Sequence, residues 1–388
     1  MDLSPAAILP ADPDALLFGR IWRPDQEGPS LVRVDGDRLA DISTHFPTAR
    51  DLCEASSPAQ GLRDAKGEDV GALRDILANT PSDRRDSSRP WLLSPIDLQA
   101  VKAAGVTFVT SMLERVIEEK ARGNPDAVAH IRAQVQALVG DDLRHLRPGS
   151  DAAAQLKQML IEAGAWSQYL EVGIGPDAEI FTKAQPMATV GTGSAIGVHP
   201  ASVWNNPEPE VVLVIASDGR IVGATLGNDV NLRDVEGRSA LLLGKAKDNN
   251  GAAAVGPFVR LFDGGFDLNA VEAITVTLRV DGRDGFVMEG RSAMAEISRP
   301  PAELAAQAVN AHHPYPDGLI LYLGTLFAPT QDRGDPGRGF THAEGDEVRI
   351  GCDELGMLVN RVTATDRVEP WTFGTAALMR NLAKRGLL

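Results

Sequence analysis

The 388-residue chain has 43% hydrophobic and 23% charged residues, an ordinary globular balance with material for a sizeable core, and its length predicts about two domains. A formal charge of −15 and a pI near 4.9 oppose a nucleic-acid partner or an anionic membrane surface, since both need clustered Lys and Arg. Cys53 and Cys352 stand far apart, which excludes a cysteine metal site and a disulfide framework and predicts a reducing, cytoplasmic setting.

The first twenty residues are acidic and broken by prolines, so no signal peptide is expected. The longest strongly apolar run, 211–216, is far short of a membrane span. Residues 1–97 read as a small N-terminal α+β domain. Within it, 31–34 and the segment around Leu39–Ile42 flank Asp35-Gly36, a hairpin signal. Val70, Leu73, Ile76 and Leu77 give 66–79 a helical spacing. The stretch 81–90, charged and bounded by prolines, reads as a linker or exposed loop.

Residues 98–388 read as a second, larger domain. Helices are expected from Ser111, from Pro125 and from Asp151, the last ending at Gly164. From about 178 the texture changes to short β-prone runs at 211–216, 220–230, 274–280, 285–291, 319–324, 347–351 and 356–362, with turn residues between them. Ile274, Val276, Leu278 and Val280 share one face, so that strand should be half exposed. Strands and helices do not alternate regularly, which argues against a doubly wound sheet and for a β-rich α+β class.

Glu208-Pro209-Glu210 opens the 211–216 run. On a strand both carboxylates share a face, and each raises the other's pKa unless a cation lies between them. A hard divalent ion such as Mg²⁺ takes oxygen donors of this kind; the plainer reading is two surface glutamates at a strand mouth. Asp229 ends the next run. A turn at Ser217–Arg220 returns that run beside the first, although Asp229 also suits simple turn chemistry in Gly-Asn-Asp. None of the seven histidines has helical zinc spacing, and His312-His313 reads as a helix end. There is no nucleophile elbow or phosphate loop, and the glycines of 191–197 lack the strand and helix a dinucleotide site requires.

Ser202-Val-Trp204-Asn-Asn-Pro207-Glu208-Pro209-Glu210, then Gly227-Asn228-Asp229-Val230, Arg233-Asp234 and Glu236-Gly237, resembles the fumarylacetoacetate hydrolase superfamily. Glu179-Ile-Phe181-Thr-Lys183 upstream, and Gly324-Thr325 and 356–362 downstream, extend the resemblance in order over about 105–363. It implies a layered β-roll with few helices, assembled as a homo-oligomer (a dimer or tetramer). It also implies Glu208, Glu210 and Asp229 as ligands of Mg²⁺, or alternatively Mn²⁺, which grips the oxygens of a small-molecule 2-oxo acid. Hydrolases of the family carry Asn-Tyr-x-x-His-x-x-Glu; the matching stretch here is Thr107-Phe108-Val-Thr-Ser111-Met-Leu-Glu114. A hydroxyl is a poor general base beside imidazole, so C–C hydrolysis is the weaker implication. Ser111-x-x-Glu114 also reads as a capping box, leaving Glu114 either structural or catalytic.

A narrower resemblance is to 2-keto-3-deoxy-pentonate dehydratases of the xylonate or arabinonate type, which carry a lysine where Lys247 precedes Gly256-Pro257. It implies Mg²⁺-dependent loss of water from 2-keto-3-deoxy-D-xylonate to give 2-oxoglutarate semialdehyde, a step of oxidative pentose catabolism. Lys183, Glu179, Lys247 and Glu114 are then candidate catalytic groups; positions 179, 181 and 183 share a strand face, and Lys183 alternatively does no more than pair with Glu179. Thr325, Ser111, Phe181 and Asn228 are candidate substrate contacts, with Arg233 and Asp234 supporting Asp229. The competing readings are an acylpyruvate or fumarylacetoacetate-type hydrolase or an oxaloacetate decarboxylase on the same scaffold, and a non-catalytic metal- or ligand-binding protein.

Overall fold

A computed structural model of the chain describes residues 1–122, 146–162, 166–327, 329–334 and 339–388. The helix expected from Pro125 and the stop at Gly164 lie outside the described residues. In chain order the strands are β1 (Leu17–Arg23), β2 (Gly28–Asp35), β3 (Arg38–Asp41), β4 (Glu68–Ala72), β5 (Trp91–Leu92), β6 (Ala100–Gly105), β7 (Glu179–Ala184), β8 (Ala195–Val198) and β9 (Asn205–Asn206). They continue as β10 (Pro209–Ile215), β11 (Ile221–Asp229), β12 (Asn231–Leu232), β13 (Ala253–Leu261), β14 (Thr275–Asp281), β15 (Val287–Ala293), β16 (Leu319–Tyr322), β17 (Glu347–Cys352) and β18 (Gly356–Ala364).

One large sheet runs β4-β3-β2-β1-β13-β11-β10-β16-β6-β7, with β5 also on β1; a second runs β15-β14-β17-β18-β8, and β9 pairs with β12. The segment 1–97 is continuous with this scaffold, because β1 pairs antiparallel with β13. The hairpin expected at Asp35-Gly36 forms as β2 and β3, with Asp35 opposite Arg38. The spacing over 66–79 predicts one helix, but Glu68–Ala72 instead pairs along the open edge of β3, and only Leu73–Asn79 is helical. An unfilled strand edge offers backbone hydrogen bonds that outweigh weak helix propensity in a segment with Val70 and Gly71.

Every residue of β10 is buried, because both faces of the large sheet are covered. Val211, Leu213 and Ile215 form a core with Val276, Leu278, Ile350 and Leu358 of the second sheet. The alternation expected over 274–280 is present, with Val276, Leu278 and Val280 buried and Thr277 exposed. Val212 and Val214, on the other face, pack with Tyr322, Val255 and the N-terminal Ile42, Leu52 and Leu62. Glu208 and Glu210 have the parity of Val212, so they emerge at the end of this second face. A helix, Val109–Ala121, buries Met112, Val116 and Ile117 against Tyr169 and Leu170 and lies beside that end. Among the described residues no helix is long and apolar enough to cross a membrane.

Candidate metal centre

The site is built on the β10–β11 hairpin. Glu210 lies opposite Gly227 and Pro209 opposite Asn228; Asp229 N–H donates to the Glu208 carbonyl at 3.0 Å, so Glu208 and Asp229 face each other. The turn between the strands uses Gly219 at φ 87°, a left-handed conformation that glycine adopts without strain. Carboxylate oxygens of Glu208, Glu210 and Asp229 come within 4.8 Å of one another, and all three residues are buried.

Cations approach from three elements. Lys247, at the end of the helix Leu243–Lys247, bridges Glu208 Oε2 at 2.6 Å and Asp229 Oδ2 at 3.0 Å. Lys183, on β7, meets Asp229 Oδ1 at 2.7 Å and donates to the carbonyls of Val230 at 3.0 Å and Lys247 at 2.6 Å. Arg115, on the helix Val109–Ala121, pairs through Nη2 with Glu208 Oε1 and through Nη1 with Glu236 at 3.3 Å.

This arrangement divides the carboxylates. Burial alone would raise the Glu208 carboxyl, but Lys247 and Arg115 outweigh it and hold it down at about 2. Glu210 accepts the Gly324 N–H at 2.6 Å, and burial together with Asp229 and Glu208 pushes its carboxyl well above the usual range. Glu179 is pushed up to about 7 by burial and by Glu236. Burial also depresses the Lys183 ammonium, whereas at Lys247 the same burial is overcome by Asp229, Glu208 and Glu236, which raise it.

Five carboxyl groups (Glu179, Glu208, Glu210, Asp229 and Glu236) thus face three cations (Lys183, Lys247 and Arg115) in one buried cluster. With all five ionised, a divalent cation would remove the resulting imbalance of two. An all-oxygen carboxylate donor set suits a hard ion such as Mg²⁺ or Mn²⁺ and lacks the sulfur or imidazole that a softer ion prefers. The residues therefore fit a divalent metal, with Glu208, Glu210 and Asp229 as the candidate ligands.

The other residues singled out in the sequence fall into two groups. Glu179, Phe181, Lys247, Ser111 and Thr325 line one small cavity over the three carboxylates, and Glu114 lines its extension beside Asn206 and Arg233. Glu179 lies over Gly105, its partner in β6; a Cβ at Gly105 would come within 2.0 Å of the Glu179 carboxylate, so glycine there makes room for it. Lys183 and Asn228 sit behind the wall. Lys183 is fully buried with three acceptors around its ammonium, and Asn228 accepts the Glu208 N–H at 3.1 Å, fixing the ligand strand.

The capping-box reading of Ser111 and Glu114 is corrected. The helix already begins at Val109; Ser111 bonds back to the Phe108 carbonyl at 2.9 Å, and Glu114 pairs with Arg233 at 3.4 Å. Asp234 accepts from Ser202 at 2.7 Å and the Val203 N–H at 3.0 Å, so it braces the 202–203 loop, not Asp229. Arg115 and Asn206 escaped the sequence reading. Arg115 lies one helical turn from Ser111, which places both on one face; that spacing was the available signal.

Residues 156–363, just over half of the chain, match the family described as fumarylacetoacetate (FAA) hydrolase C-terminal. A curated relative from Saccharolobus solfataricus, named 2-dehydro-3-deoxy-D-arabinonate dehydratase, is 34% identical over 184 residues, 47% of this chain and 58% of the relative. One from Haloferax volcanii, named probable 2-keto-3-deoxyxylonate dehydratase, is 33% identical over 202 residues, 52% of this chain and 66% of the relative. The matched segments therefore span less than two thirds of each relative. In fold, the chain is similar to the apo form of a 2-keto-3-deoxy-D-arabinonate dehydratase, with TM-score 0.63 at 21% identity, covering 90% of this chain and 99% of the other. The same dehydratase complexed with magnesium and 2,5-dioxopentanoate gives TM-score 0.62, also at 21% identity and over 90% and 99% of the two chains. With its carboxylates at the mouth of the hairpin and this match running through them, the chain belongs to the fumarylacetoacetate hydrolase family.

Proposed function

We propose that the protein is a divalent-metal-dependent hydro-lyase that removes water from a 2-keto-3-deoxy-pentonate, such as 2-keto-3-deoxy-D-xylonate, to give 2-oxoglutarate semialdehyde. The observation that carries this reading is the buried carboxylate triad, whose Glu210 makes no ion pair among the described residues, with Lys247 and Glu179 on the same cavity wall. The names of the two curated relatives support the substrate class.

When bound, a divalent cation supplies Lewis-acid polarisation of the 2-oxo group, which acidifies the C3 protons. The chain's own groups do the rest. Elimination needs a base at C3 and an acid at the C4 hydroxyl, and the resulting 5-hydroxy-2-oxo-3-enoate then tautomerises, a proton moving from C5 to C3, to the semialdehyde. Glu179, with its carboxyl near neutrality, is suited to hold or release one of these protons at its Oε atoms. Lys247 Nζ is the second group on the wall. Lys183, saturated by Asp229 and two carbonyls, takes a positioning role and fixes the Asp229 carboxylate. Thr325, whose Oγ1 accepts the Phe327 N–H and so keeps its own proton to donate, offers its hydroxyl to the substrate carboxylate, while Ser111 lines the wall with its proton on the Phe108 carbonyl. Burial of the cavity excludes bulk water, which favours elimination over hydrolysis of the acid.

The test is direct. Purified protein with Mg²⁺ should convert the keto-deoxy acid to an aldehyde, followed by coupling to an aldehyde dehydrogenase. Failure to do so, with cleavage of an acylpyruvate instead, rejects the dehydratase reading in favour of C–C hydrolysis.

A further inference from the structure

The β9–β12 pair is the β10–β11 hairpin continued in the same register. Pro209 lies opposite Asn228, Glu208 faces Asp229, and beyond them Asn206 lies opposite Asn231 and Asn205 opposite Leu232. The ladder is interrupted only at Pro207, which has no N–H, and at Val230, whose N–H turns to the Ala252 carbonyl at 3.1 Å. Because side chains alternate, Asn206 extends the face of Glu208 and Glu210, and Asn231 extends the face of Asp229. The asparagine pair thus stands two residues, roughly 6.6 Å, beyond the ligand pair on the same face.

Neither carboxamide is used up by the protein. Asn206 Nδ2 donates to the Pro207 carbonyl at 2.9 Å, which fixes the side chain and leaves Oδ1 without a partner. Among the described residues, both amide atoms of Asn231 lack partners, although Asn206 is 2% exposed and Asn231 is 0% exposed. A buried polar atom left unpaired costs about 1–3 kcal/mol, so several together mark a place kept for a ligand. Asn206 lines the same cavity wall as Ser111, Glu208 and Thr325. A neutral carboxamide both donates and accepts, which matches an alcohol; the two arginines on the same wall, Arg233 and Arg115, are already paired with Glu114 and Glu208.

We propose that Asn206 and Asn231 form a hydroxyl-binding subsite that takes the retained C5 hydroxyl of a 2-oxo acid held at the carboxylate triad by its other end. This rests on the dehydratase reading above and adds a specificity element to it. A short carbon chain spanning from the ligand pair to the asparagine pair places a terminal alcohol between the two amides.

The experiment compares 2-keto-3-deoxy-D-xylonate with its 5-deoxy analogue, 2-oxo-4-hydroxypentanoate, under Mg²⁺, following the loss of each starting acid by chromatography because the analogue yields an enoate and no aldehyde. The native protein should favour the C5-hydroxylated compound in kcat/KM by at least tenfold, since a site built for a hydroxyl penalises its absence. Asn206→Leu and Asn231→Leu should each bring that ratio close to one, chiefly by slowing the hydroxylated compound. Asn206→Ser and Asn231→Ser, which leave less apolar bulk, carry the same expectation if the leucine proteins fail to fold. A native protein that handles both compounds equally, or variants that keep the native ratio, overturns the subsite while the dehydratase reading stands. A native protein that dehydrates neither compound overturns that reading and the subsite with it.

Discussion

Glu208 and Glu210 stand two residues apart on one strand face, yet Glu208 is held by Lys247 and Arg115 while Glu210, among the described residues, has only the Gly324 N–H. The two ligands therefore do different things for the metal-free protein. Glu208 is part of a buried ion-pair network. Glu210 is a buried carboxyl whose ionisation waits for a cation.

Conservative amide substitutions should separate these roles. Glu208→Gln leaves Lys247 and Arg115 short of a counter-charge and should destabilise the metal-free protein by about 3–5 kcal/mol. Glu210→Gln keeps an acceptor for Gly324 and removes a strained carboxyl, so metal-free stability should hold or rise. Both should abolish the thermal shift that Mg²⁺ gives the native protein. Thermal melts with and without Mg²⁺ check this; equal losses in the metal-free melts contradict the division.

Arg115 competes with a cation for the same carboxylate. Its guanidinium neutralises Glu208 and Glu236, and two positive charges within a few ångströms of each other in a partly buried site repel by several kcal/mol at an effective dielectric of about 20. Arg115→Met should tighten Mg²⁺ binding about tenfold, about 1.4 kcal/mol. Titration calorimetry at mildly alkaline pH reads this directly. Weaker binding in the variant would mean that Arg115 helps to shape the ligand set.

The strands that carry chemistry were legible because their signals are local. Turn residues at Ser217–Arg220 and alternation through Glu208, Glu210 and Val212 point to the hairpin, but the length of its strands left Asp229 free to fall at the other edge, and only the pairing register puts it beside Glu208. The edge strand β4 was not legible, since its pairing depends on the unfilled edge of β3, thirty residues away in the chain. The charge pattern was hidden for the same reason. Arg115, Lys247 and Glu236 come from separate segments, and only packing decides that Arg115 and Lys247 take Glu208 and leave Glu210 without an ion pair. Lys183 illustrates the converse case. Sequence parity put it on the site face; its full burial, with the ammonium on Asp229 and two carbonyls, depends on packing that parity does not reveal.

Acid stability should depend on a second cluster, away from the hairpin. His342 Nδ1 lies 3.3 Å from Asp346, which also binds Arg333 at 2.6 Å, and both His342 and Asp346 side chains are buried. Burial holds the imidazole below its ordinary 6.5, although Asp346 partly opposes that. Below pH 6.5 the unfolded chain therefore takes up a proton at this position that the folded chain refuses, and stability falls with pH by up to about 1.4 kcal/mol per unit. Asp346 behaves in the opposite sense for its type. Burial would raise it, but hydrogen bonds from His342 and Arg333 win and lower it from 3.8 to about 2. Its contribution, about 2 kcal/mol, is complete above pH 3.8 and disappears as pH falls through about 2. Urea unfolding from neutral pH down to about pH 4 isolates the histidine part, because Asp346 stays ionised there in both states for most of that range. His342→Gln should flatten the fall in stability across this window relative to the native protein. An identical slope in the variant would show that His342 takes up its proton in the folded chain as readily as in the unfolded one.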